Sequence, residues 1–355
     1  MTLFAANLFP GQSSSGIRPL SESRVEFVDY GKGLCIILVV MMHSVLGVGD
    51  AMGGRGWMHY PVDFSRPFRM PDFFLIAGLF LARTIDAPWR RYLDRKVLHF
   101  AYFFVLWTAI HLTVKITTLP DPSLTGLLNA FAWRMIEPIT PLWFIYILPI
   151  CFVATRLLRN LPWQIVVLLG IGMESFPIGS YGTVLEEFMR RFVYFYAGYY
   201  FAPLIFQFAR NVALRPGASS AGLALWALVN GLAVFVFSAD GKPLAQLPGV
   251  SVLLGFAGAL ALVAVAALLA QNSAMSFIRQ VGSRSIIVFL AFVLFMAPTR
   301  ILLIKANILP DIGSAGFTVM AVALAGPLLL AWMVAETPFK YLFVRPQWAR
   351  LKDTD

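Results

Sequence analysis

Charge is what this chain has least of. Only 13% of its 355 residues are Asp, Glu, Lys or Arg, while 59% are hydrophobic. A water-soluble domain carries about 25% charged residues, so a soluble globular protein is excluded. Cysteine is nearly missing as well. Cys35 and Cys151 both sit in apolar runs, which excludes a disulfide framework. Histidine occurs four times. With no HExxH, no CxxC and no His/Cys cluster, no metal site is expected. The GxSxG turn of a serine–histidine hydrolase is missing too. What fills the chain instead is apolar bulk, including 31 Phe, which excludes a disordered chain. The reading is an all-α, polytopic membrane bundle.

Ten apolar runs approach the ~20 residues that span ~30 Å at ~1.5 Å per residue. They cover residues 33–48, 70–81, 97–116, 142–157, 163–176, 188–208, 221–237, 250–270, 285–304 and 317–335. Residues 1–23, with Pro10, Gly11 and Ser13 to Ser15, read as a mobile tail rather than a cleavable signal. Residues 24–340 form the membrane domain, and 341–355 a basic cytoplasmic tail. The net charge of +10 fits cytoplasmic loops rather than nucleic acid as a partner. With a cytoplasmic N-terminus, 18 of the 28 Lys and Arg fall on the inner side. Ten helices then place both termini in the cytoplasm.

Ionisable groups inside apolar runs are costly, which makes them functional candidates. On the first helix, Lys32 and His43 fall within about 20° of one line at ~100° per residue, and Asp29 and Asp50 within about 40° of it. His43 lies ~16 Å along the axis from Lys32, near mid-membrane. The stripe suggests a polar path, although a histidine bonded to a neighbouring helix is the structural alternative. The second helix opens Arg69-Met70-Pro71-Asp72. There Asp72 serves either as a first-turn acid or ion-pair partner, or in catalysis. The segment 90–96 is dense in base, with Arg90, Arg91, Arg95 and Lys96. It suits anionic lipid headgroups or, alternatively, the phosphates of a nucleotide-bearing acyl donor. Trp143 and Tyr146 open the fourth helix in the manner of interface anchors. Glu186/Arg190 and Glu187/Arg191 are i, i+4 pairs, structural or lining an acceptor pocket.

Together these residues resemble the acyltransferase 3 family of integral membrane acyltransferases. That family opens with an Asp, a basic-Gly pair and an aliphatic run ending in His, matched here by Asp29, Lys32-Gly33 and His43-Ser44. Phe68-Arg69-Met70-Pro71-Asp72-Phe73-Phe74 with Gly78 resembles its second helix. Leu142-Trp143-Phe144 with Tyr146 resembles its fourth, and Phe195-Tyr196 with Gly198-Tyr199-Tyr200 its sixth. Two positions depart from the pattern: Lys32 stands where many members carry Arg, and Asp72 where many are apolar.

The resemblance implies an inner-membrane O-acyltransferase that moves an acyl group, acetyl by analogy, from a cytoplasmic acyl-CoA to a hydroxyl of a sugar or glycan-like acceptor. His43 is then the general base, with Asp29 balancing charge. Lys32, Arg90, Arg91 and Arg95 meet the donor. Arg69, Asp72, Trp143, Tyr146, Glu187 and Arg191 belong to the acceptor or pocket. An acyl-histidine stage is the alternative within this class. Acyl-CoA enters as substrate, so no permanently bound cofactor is expected, and lipids are the remaining partners. The competing class is a transporter whose stripe carries protons or substrate.

Overall fold

The computed structural model describes residues 20–116, 119–138, 141–176, 183–239 and 241–351. Residues 1–19 and 352–355, which hold most of the expected N-terminal tail and the end of the C-terminal one, lie outside the described residues. The chain is almost entirely helical, and the described strands are one two-residue hairpin, Ser238–Ala239 against Lys242–Pro243. Gly241 at φ +72° makes its turn, a conformation that costs glycine little.

The central element is α1 (Leu20–Met52). Its run from Leu34 to Met42 is apolar on every side, so it is surrounded by other helices rather than presenting one face. Short α2 (His59–Phe64) leads to α3 (Arg69–Leu79). Then come α4 (Trp89–Leu93), a π-turn over Asp94–Leu98, and α5 (His99–Val114). Next are α6 (Leu124–Ile136), α7 (Trp143–Leu158), α8 (Trp163–Ser175) and α9 (Thr183–Tyr200). The chain continues through α10 (Ala202–Leu214), α11 (Pro216–Gly231), α12 (Val250–Leu269), α13 (Ser276–Ser283), α14 (Ser285–Lys305) and α15 (Ile312–Val334). α1 packs against α3, α12, α13, α14 and α15.

Every one of the ten apolar runs falls on a helix. Six are long and apolar enough to cross a membrane: Glu26–Met52, Trp89–Val114, Pro216–Val236, Val250–Leu269, Ser285–Lys305 and Ile312–Val334. Others are shorter than the ~20 residues a span needs. α3 has 11 residues, α7 has 16 and α8 has 13. The run 188–208 divides at Phe201 between α9 and α10, where Pro203 occupies the first turn of α10. α6 was not among the runs, because Gly126, Asn129 and Arg134 dilute its apolar residues. It starts where the Ser123 hydroxyl accepts from Gly126 N at 3.1 Å, and Leu124, Leu128, Trp133 and Ile136 stay exposed. Asp311 caps α15 in the same way, accepting from Ser314 N at 2.6 Å; its bonds with Ser314 hold its carboxyl below the usual range.

Two helix crossings bring backbones into contact. A Cβ on Gly78 of α3 would lie 2.2 Å from Phe195 O, and one on Gly198 of α9 would lie 2.0 Å from Leu75 O. Gly33 and Gly282 do the same for α1 and α13, since a Cβ on Gly282 would lie 1.7 Å from Asp29 O. The core around these crossings is aromatic. Phe144 meets Phe73 edge-on at 4.4 Å and Phe289 at 5.6 Å between ring centroids. The segment following α15 packs back onto the bundle: Arg345 donates to Asp94 O at 2.8 Å and Asp94 Oδ2 at 2.5 Å, and Leu351 N donates to Asp94 Oδ1 at 2.8 Å.

Candidate functional site

A cavity of about 340 Å³ opens at the Lys32 end of α1. Lys32 and Lys96 stand among Cys35, Phe73, Ile76, Phe80, Phe100, Phe144, Phe152 and Phe289. Lys32 Nζ is 3.6 Å from Asp29 Oδ1 and lies over the Phe80 ring at 5.5 Å. The Lys96 ammonium lies 4.7 Å from the Phe152 ring centroid. The result is an aromatic slot carrying two positive charges.

Nearby at the same end, Arg90, Arg91, Arg95, His99, Arg345 and Arg350 line a second cavity of about 500 Å³. Among the described residues Asp94 is its one lining carboxylate, and it is bound to Arg345. The π-turn separates the two cavities, since Lys96 faces one while Arg95 and His99 face the other.

A third cavity, about 470 Å³, opens at the Asp50 end. Arg55, Arg66, Arg190 and Arg191 line it, together with Asp63, Glu174, Tyr194, Gln246 and Ser251. Pro67 belongs to this cavity and Phe73 to the Lys32 cavity. Five residues, Phe68 to Asp72, with the first turn of α3 among them, separate these two lining positions, roughly 10 Å of chain.

The wall around this stretch holds the buried polar groups. Asp72 is 0% exposed, and neither carboxylate oxygen has a hydrogen-bond partner among the described residues. Arg69 is 9% exposed and donates to Val62 O at 3.3 Å and Ser65 Oγ at 3.4 Å, leaving Nε unpartnered. Arg69 lies within charge–charge range of His43, Asp72, Arg66 and Arg191. His43 packs against Phe292 at 5.5 Å between centroids, and its ring nitrogens meet no hydrogen-bond partner among the described residues. Beside it the Ser44 hydroxyl is buried and unpartnered. The other histidines are engaged: His59 bonds Gly56, His111 bonds Leu290 O at 3.1 Å, and His99 packs on Phe100 and Phe103.

Residues 25–336 match the family described as acyltransferase domain, number 3 of that name. The chain belongs to the acyltransferase 3 family. Among curated proteins, this acyltransferase-family chain is similar to inner membrane protein YcfT of Escherichia coli K12, at 28% identity over 233 residues. The match covers 58% of the chain and 64% of YcfT, so it spans less than two thirds of that relative. No solved structure matches.

In this family member the residues singled out from sequence fall into four places. Lys32 and Asp29 pair at the first cavity. Arg90, Arg91 and Arg95 line the second, apart from Lys32. Arg69, Asp72 and His43 occupy the wall. Arg191 lines the third cavity, held by Glu187 through a 3.1 Å bond to its Nε. Trp143 stacks near Phe74 at 6.2 Å, and Tyr146 donates to Met135 O at 3.1 Å; neither lines these three cavities. Asp50 is exposed at the end of α1. Sequence reading passed over Arg55, Arg66, Glu174, Arg345 and Arg350. Their signal was weak, because each sits in or beside a connecting segment, where charge is ordinary.

Proposed function

We propose that this protein is an inner-membrane O-acyltransferase that takes an acyl group, acetyl by family analogy, from a cytoplasmic acyl-CoA to a hydroxyl of a sugar or glycan-type acceptor. The observation that carries the reading is the polar wall. Lining residues of cavities from opposite ends of α1, Pro67 and Phe73, stand roughly 10 Å apart along the chain, and His43, Arg69 and Asp72 are the polar groups gathered in that region. Ten membrane helices with both termini cytoplasmic set the Lys32 end inside and the Asp50 end outside.

In this scheme the acyl thioester occupies the aromatic slot, and Lys32 and Lys96 offset the donor's phosphate charge. Arg90, Arg91 and Arg95 provide a further phosphate-binding surface, while membrane lipids cover the apolar exterior. The acceptor hydroxyl comes from the other side. His43 takes its proton as the oxygen attacks the thioester carbonyl carbon. The C–S bond then breaks, the thiolate takes the proton from the imidazolium, and ester and free thiol result. Asp29 holds Lys32 in place, and Arg69 steadies negative charge as it develops on the carbonyl oxygen.

His43→Gln tests this, because glutamine keeps polar contacts but cannot act as a base. General-base help is typically worth ~10²–10⁴-fold. The variant should insert, keep wild-type thermal stability and lose donor consumption by about that factor. Turnover near wild type would remove His43 from catalysis and bring forward a transporter that uses the same polar wall.

A further inference from the structure

The Asp50-end cavity has a chemistry that acyl transfer alone does not require. Among the described residues, four guanidinium groups line it against two carboxylates, those of Asp63 and Glu174. Three of the four are pre-set. Arg55 pairs with Asp63, and Arg190 and Arg191 are each gripped through Nε, at 3.1 Å, by Glu186 and Glu187 one turn earlier on α9. Gripping through Nε leaves the terminal amino groups of both arginines without a hydrogen-bond partner among the described residues. The fourth, Arg66, has no ion-pair partner among the described residues. Like charges gathered around one space repel, and a planar fork of N–H donors suits an oxyanion held at two points.

The rest of the lining answers a different demand. Gln246, Ser251 and the Tyr194 phenol line the same space, and Ser251 donates to the buried Glu174 at 3.2 Å. Phe235, 47% exposed, forms one rim and lies 6.2 Å from Tyr60. Amide, hydroxyl and carboxylate groups beside an aromatic shelf match ring hydroxyls and the apolar face of a sugar. The volume of about 470 Å³ falls within the roughly 300–1,000 Å³ of small-molecule sites.

We infer that this cavity binds a sugar carrying an oxyanion, a phosphate ester or a carboxylate, with Arg66, Arg190 and Arg191 on the anion and Gln246, Ser251 and Phe235 on the ring. That the bound sugar is the acyl acceptor rests on the transferase reading; its binding does not.

The test is direct binding to the full-length protein in phosphatidylcholine nanodiscs without donor, using glucose 1-phosphate, glucuronate, glucose and inorganic phosphate as probes. Glucose 1-phosphate and glucuronate should bind at least about tenfold tighter than glucose, and inorganic phosphate about tenfold weaker than its ester. Arg66→Gln should lose about tenfold for both anionic sugars, and Arg66 with Arg190 more. Arg210→Gln, exposed on α10 and away from this lining, should change nothing. Arg66 is exposed and has no ion-pair partner among the described residues, so the single variant should fold even where the double one does not.

Equal affinity for glucose and its phosphate would overturn the inference, as would unchanged binding in Arg66→Gln. Inorganic phosphate binding as tightly as the ester would remove the sugar from the site. Loss of sugar-phosphate binding when the nanodiscs contain phosphatidylglycerol would identify a lipid-headgroup site instead. Because no donor is present, these outcomes stand apart from the His43→Gln assay. Failure of acyl transfer there leaves the binding result intact.

Discussion

Asp72 is the residue whose surroundings cost most. A carboxylate buried in an apolar bundle with no hydrogen bond is strongly unfavourable when ionised, and Arg69, three positions earlier, is near it without forming an ion pair. Asp72→Asn keeps the shape and removes the charge. It should leave the melting temperature of the purified protein unchanged or raise it by a few degrees, while lowering acyl transfer at least about tenfold. A fall in stability matching the fall in activity would make Asp72 structural. At this scale much of the wall was legible in the sequence. Lys32 and His43 share a line by helical arithmetic alone, and Arg69 and Asp72 stand out as charges entering an apolar run. Arg190 and Arg191 show as i, i+4 partners of Glu186 and Glu187, whereas Arg55, Arg66 and Arg345 do not stand out. Arg66 and Arg191 line one cavity from positions 125 apart in sequence, and Arg345 reaches Asp94 from the far end of the chain. Such contacts come from packing, and no local pattern encodes them.

Among the elements, α3 and α9 are held closely, because Gly78 and Gly198 let their backbones touch. Overpacking a tight contact costs typically ~1–3 kcal/mol and sometimes more. A valine at Gly198 would set its Cβ against Leu75 O, so Gly198→Val should lower the melting temperature by several degrees and disturb the α3 wall. Gly217→Val is the control, since nothing lies within 4 Å of its built Cβ. If both variants melt alike, the crossing is looser than its geometry implies. That Gly78 pairs with Gly198 was not readable in the sequence, because a pairing needs both helices in place. The ten apolar runs foretold where helices lie, and their lengths set the limit. α3 and α8 end well before a full span, and α6 carries too few apolar residues to be noticed by that rule.

For the molecule as a whole, the way the described helices, six long and several shorter, sit across the bilayer sets which cavity faces which side. The distribution of Lys and Arg favours both ends on the cytoplasmic side. Reporter fusions after Asp50 and at the C-terminus should therefore report opposite sides. The same side for both would make this topology wrong, and a cytoplasmic reporter after Asp50 would reverse the assignment of the two cavity mouths and, with it, the direction of acyl passage. The all-α bundle was legible because scarce charge and long apolar stretches leave few other ways to satisfy backbone groups in lipid.

The wall at α3 also bears on bioenergetics. Were both recesses filled with water, most of a membrane voltage would drop across the wall, and an uncompensated elementary charge crossing it would gain or lose about 2.3 kcal/mol per 100 mV. In the proposed reaction an acyl group, equivalent to one positive charge, leaves the inner sulfur for the outer oxygen. Through His43 one proton passes the other way, from that oxygen to that sulfur. The exchange is electroneutral. In proteoliposomes clamped at different potentials, the final ratio of ester to thioester should be the same at each. A ratio that shifts with potential would mean that the proton is exchanged with bulk water on one side, and that the cell's electrical gradient helps drive the modification.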